Sequence, residues 1–118
     1  MMRPDEAVDV YLYRGIVDMR KSIDGLSALV EQELGLSPFA PQLFVFCNRK
    51  RDKIKILYWE RSGFVLWYKR LEKDRFPWPR RDQDDVVQMT GRELNWLLDG
   101  IDFFRIRPHQ SLSYESVA

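Results

Sequence analysis

Across residues 8–13, Val8, Val10 and Leu12 alternate with Asp9, Tyr11 and Tyr13, the period of a strand with one buried face. Gly15 is expected to break it. Asp18 then reads as a helix N-cap, because Met19, Ile23, Leu26, Val30 and Leu34 follow at spacings of 4, 3, 4 and 4. Gly35 stands where a left-handed C-terminal residue is wanted, and Pro38 lies beyond it. Gly25 inside this helix costs about 1 kcal/mol relative to Ala, so close packing against a neighbour is expected there.

Three runs rich in β-branched and aromatic residues come next, over 43–47, 53–59 and 64–71, separated by turn-forming stretches. Connections this short join antiparallel strands, because a parallel crossover needs a dozen residues or more. The prolines of Phe76-Pro77-Trp78-Pro79 each remove a donor, so that segment is an edge or an extended connection. Thr90 and Glu93 have capping-box spacing, with Leu94, Leu97, Leu98 and Ile101 along one side of a short helix that Gly100 ends. A short strand is expected near 103–106. The fold class is α+β: a small antiparallel β-sheet, a meander of hairpins, with one long and one short helix packed on one face.

A turn through Arg61-Ser62 pairs Trp59 with Phe64, Leu57 with Leu66, Lys55 with Tyr68 and Lys53 with Arg70. Ile54, Ile56, Tyr58, Val65 and Trp67 then form the core face. Leu57, Trp59, Phe64 and Leu66 form an apolar patch on the other, either exposed or covered by the second helix.

The chain of 118 residues fits one domain, with 103–118 as a variable tail. Its 45% hydrophobic content excludes disorder as the main state. No apolar run approaches the roughly 20 residues of a membrane span, and Met1-Met2-Arg3-Pro4-Asp5-Glu6 has no signal-peptide pattern. One cysteine, Cys47, excludes an internal disulfide, and one histidine, His109, leaves no structural zinc cluster. A reducing cytoplasm is expected. Cys47 reads as a small buried apolar group and His109 as a solvent-exposed tail residue. Neither a cofactor nor a metal is implied, and nothing argues for an enzyme.

Charge changes the picture. The net value is +1, yet residues 49–81 alone sum to +8, flanked by acidic stretches of −3 and −4. Like charges opposite one another cost a few tenths of a kcal/mol, so folding gives no reason to set Lys53 across from Arg70. Arg49, Lys50, Arg51, Lys53, Lys55, Arg70, Lys73, Arg75 and Arg80 converge on one end of the sheet in this register. Tyr68 and Trp78 are available there to pack on sugar or base. The pattern fits a grip on nucleic-acid phosphates; the bland alternative is a solvated edge whose lysines block aggregation. Arg20 and Lys21, in the first helical turn by this account, add a weaker signal. Arg20 either pairs with Asp24 one turn on or joins Lys21 and the helix end in holding a phosphate.

Asp18-Met19-Arg20-Lys21-Ser22-Ile23-Asp24-Gly25-Leu26 resembles the DMRKSxDGL signature of the TnpB accessory proteins of IS-sixty-six type insertion sequences. Leu43-Phe44-Val45-Phe46, the run from Asn48 to Lys55, Tyr58-Trp59-Glu60 and Phe76-Pro77-Trp78-Pro79 follow the family's later blocks in order. The resemblance runs from about Tyr11 to Asp102, within a domain expected over about 8–102. It implies a small protein encoded beside a separate transposase, which carries the recombination chemistry, and needed for efficient transposition. Joined to the charge pattern, it gives the leading expectation: a non-enzymatic factor that binds DNA, double-stranded and including element ends. The alternative is a module that docks on the transposase without touching DNA, motivated by the apolar patch. A metal-dependent nuclease is disfavoured for want of a ligand constellation.

Overall fold

The computed structural model describes residues 3–79 and 84–105. The chain runs β1 (Asp9–Ile16), α1 (Ile23–Gln32), β2 (Leu43–Cys47), β3 (Lys53–Glu60), β4 (Gly63–Arg70), β5 (Val86–Thr90), α2 (Gly91–Leu98) and a 3-10 turn at Phe103–Arg105. The five strands form one sheet in the order β4-β3-β2-β1-β5. The expected α+β class and the β2-β3-β4 meander are present, and the hairpin register is the expected one, Lys53 opposite Arg70 and Trp59 opposite Phe64.

Three features of the sheet differ from expectation. β1 pairs with β2 in parallel, joined by α1 as the crossover. β5, where no strand was expected, pairs antiparallel with the outer edge of β1. A Phe103–Arg105 helical turn replaces the anticipated C-terminal strand.

The helices do not share a face. Leu26 and Val30 of α1 pack with Phe44, Phe46 and Leu57, whereas Leu94, Leu97 and Leu98 of α2 pack with Val45, Ile54 and Ile56. Successive strand residues point to opposite sides, so these two sets lie on opposite faces and the sheet is sandwiched between the helices. β2 is buried at all five positions for that reason, and its sequence Leu-Phe-Val-Phe-Cys has no polar alternate. Val65 and Trp67 join the α2-side core with Ile54, Ile56 and Tyr58, as the register requires.

The apolar patch on the other side is partly covered, and by α1, not by the second helix. Leu57 is buried, and Phe64 and Leu66 pack against the α1-side cluster. Phe39 adds rings 5.1 Å from Trp59 and 5.3 Å from Phe64.

Local departures have local causes. Gly15 does not end β1; the strand continues to Ile16 with a register irregularity between Leu12 and Ile16. A Cβ at Gly15 would lie 2.5 Å from the Tyr13 ring, so the glycine makes room for a buried aromatic. Helix α1 starts at Ile23 with Ser22 as its N-cap, four residues after Asp18. Arg20 and Lys21 therefore stand in the connection before the helix. Gly25 meets only the Lys21 stem, at 3.4 Å, so no close packing explains it. Gly35 does adopt the left-handed conformation (φ 66°) beyond α1, and Gly100 (φ 84°) follows α2. The Thr90/Glu93 capping box is formed, but Ile101 is 47% exposed and does not extend the apolar side of α2.

Candidate nucleic-acid interface

The connection after β1 and the connection between β2 and β3 meet at one end of the sheet. Between them runs an open groove of about 780 Å³, lined by Ile16–Arg20, Asn48, Arg49, Lys50, Lys53 and Tyr68. Four cations thus share a concave surface with one aromatic ring and one carboxylate, Asp18.

Asn48 builds one wall. Its side-chain Oδ1 accepts from the Asp52 and Lys53 backbone N–H groups at 3.2 and 3.1 Å, and its Nδ2 donates to Asp52 Oδ1 at 2.7 Å. That last bond holds the Asp52 carboxyl below the usual carboxylate range. The turn so fixed carries Arg51 at φ 62° and leaves Arg49 and Lys50 exposed. Side-chain-to-backbone bonding of this kind is how Asn stabilises a tight turn.

Lys55 builds the other wall. Its Nζ donates to the carbonyls of Met19 and Lys21, both at 2.8 Å, and lies over the Tyr68 ring, 5.6 Å from its centroid. An ammonium committed to two carbonyls is an anchor for the 18–21 segment. Asp18 sits on that segment, accepting from the Arg20 backbone N–H at 2.9 Å and, in a two-pronged pair, from Arg20 Nε and Nη2. The Arg20 side-chain bonds hold the Asp18 carboxyl down to about 2. The pair is exposed, so its contribution to stability is small. Arg20 is paired with Asp18 and not, as expected, with Asp24.

The predicted cations therefore divide. Arg20, Arg49, Lys50 and Lys53 line the groove. Lys21 is exposed on the same connection, its stem against Gly25. Arg70 is held by Glu72 at 2.8 Å, which offsets its like-charge neighbour Lys53. Arg51 turns away: its guanidinium lies over Trp78, 5.3 Å from the centroid, and Trp78 packs on the α2-side core. Lys73 and Arg75 are exposed on a segment tied back to the turn by Leu71 N–H to Asp52 O and Phe76 N–H to Arg51 O, both 2.7 Å. Neither lines the groove. Arg80, like His109, lies outside the described residues.

Sequence reasoning missed Asn48 as the organiser of the turn and Asp18 as the partner of Arg20. The first was open to detection, since an Asn at the exit of a strand before a cationic turn is a turn-forming signal. Cys47 is buried, and burial pushes its thiol up to about 11. Among the described residues no group of three or more His, Cys, Asp or Glu could hold a metal ion, and no helix is long and apolar enough to cross a membrane.

These features define a class: a small α+β protein whose sheet, covered by a helix on each face, ends in a cationic groove. The chain belongs to the IS66 Orf2-like family, whose model, described as IS66 Orf2 like protein, matches residues 8–108. It is similar to the uncharacterized protein y4jC of Sinorhizobium fredii (strain NBRC 101917 / NGR234), 31% identical over 107 residues, 91% of each chain. The uncharacterized protein y4hO of the same organism is 32% identical over 103 residues, 87% of this chain and 89% of that one. No solved structure matches. Membership makes this a transposition-associated protein of an insertion sequence.

Proposed function

We propose that the protein is a non-enzymatic accessory factor that binds DNA and assists the separate transposase of its element. The observation that carries this reading is the convergence of Arg20, Arg49, Lys50 and Lys53 on one groove from two connections distant in sequence. Phosphates are the polyanion that such a surface matches, and family membership supplies the process. The docking alternative has less support, because Leu57 is buried and Phe64 and Leu66 pack on the α1 side, while Phe39, against Trp59 and Phe64, keeps 57% of its surface exposed.

About four phosphate contacts give a slope of about −3.6 in log affinity against log salt concentration. The test measures duplex DNA binding across salt concentrations for the native chain and for Arg49→Glu/Lys50→Glu/Lys53→Glu. The triple variant is expected to lose most of the affinity and to flatten the slope. Undiminished affinity would remove the reading.

A further inference from the structure

From the groove's shape and its aromatic lining we infer that it takes unpaired nucleotides: single-stranded DNA or a strand end, with a base stacked on Tyr68. The inference rests on the DNA-binding reading and narrows its substrate.

A surface that only follows the duplex backbone needs cations on a rim and has no use for a ring among them. In a duplex the faces of the bases are hidden in the stack and only their edges and the phosphates are presented. Here the cations line an open concavity of about 780 Å³ that also holds a ring. A concavity of that size has room for a base beside the phosphates that the cations attract. Tyr68 lines the same groove and is 50% exposed, one of the few large apolar side chains so placed among the described residues. Lys55 holds the ring from one side while serving as the anchor of the 18–21 wall. Tyr68 shares the groove lining with Arg20, Arg49, Lys50 and Lys53. Cations beside an exposed ring are the two components by which proteins bind single strands without reading sequence. Tyr68 belongs to neither apolar cluster, and its close partner is Lys55, opposite it on β3 and over its ring.

Fluorescence anisotropy with three probes, at one salt concentration, tests the inference: a single strand, a blunt duplex, and that duplex with an unpaired overhang. The native chain is expected to bind the single strand and the overhang at least several-fold more tightly than the blunt duplex. Tyr68→Ala is expected to weaken binding to those two by about 5- to 100-fold, leaving the blunt duplex little changed. Tyr68→Phe keeps the ring and should keep the preference; the melting temperature of each variant shows that it is folded. Equal affinity for all three probes, or a preference that persists in Tyr68→Ala, overturns the inference while leaving DNA binding intact. Binding to none of them overturns the DNA-binding reading, and this one with it.

Discussion

Two lysines one strand-pitch apart, Lys53 and Lys55, lie on the same face of β3 and do different work. Lys53 lines the groove, whereas Lys55 spends its donors on the Met19 and Lys21 carbonyls. Lys55→Met is expected to lower stability by about 1–3 kcal/mol, as for hydrogen bonds from a charged donor, measured by urea denaturation. Lys53→Met should leave stability within about 0.5 kcal/mol and weaken polyanion binding directly. Identical behaviour of the two variants would contradict this division. Asp18 carries a second residue-scale prediction. Its carboxyl is depressed to about 2, so the ion pair's contribution is present above the unfolded-state value of 3.8 and is lost as pH falls through about 2. In the native chain an NMR titration of this carboxyl should have its midpoint near 2. Arg20→Gln should move that midpoint up towards 3.8 but not fully, because the backbone N–H at position 20 still donates to it.

At the scale of elements, the hairpin and the capping box were legible because short connections and alternation fix register locally. The partners of β1 were not. Parallel pairing with β2 depends on a crossover helix, and β5 has only the short run Val86-Val87-Gln88-Met89 to announce it. The side each helix takes was hidden for the same reason: both are amphipathic, and nothing local says which sheet face each one meets. Helix α2 has a further constraint that its capping box does not reveal. Its N-terminus is also closed by the N-terminal segment, with Gly91 N–H donating to Val8 O at 2.9 Å and Arg92 N–H to Glu6 O at 3.2 Å. A Cβ at Gly91 would come within 1.8 Å of the Asp5 carbonyl oxygen, a backbone atom that no side-chain rotation can move aside. Gly91→Ala is therefore expected to cost about 2 kcal/mol or more and to speed amide exchange at Arg92, checked by urea denaturation and hydrogen exchange. Unchanged protection at Arg92 would show that the segment does not bear on the helix.

For the molecule as a whole, the segregation of charge along the chain did become a segregation in space, but only in part. Pairing register brought Lys53 to the sheet end, and the turn held by Asn48 brought Arg49 and Lys50 beside it. Arg51, an arginine like Arg49 two residues before it, has a left-handed backbone and lies over Trp78, away from the groove. No count of cations in a window carries that information. Arg20 was harder still, since its approach to the β2–β3 turn depends on a parallel β1–β2 pair that local pattern does not foresee.

The place of β5 also sets an order of events during synthesis. β1 and β2 have both left the ribosome once Cys47 has emerged, and β3 and β4 can complete the meander soon afterwards. The outer edge of β1, apolar at Val10 and Leu12, then stays open until Thr90 has followed. An open edge of that kind templates pairing with other chains. The nascent protein is thus most exposed to aggregation over that interval, and a transcript truncated before Val86 leaves the vulnerability permanent.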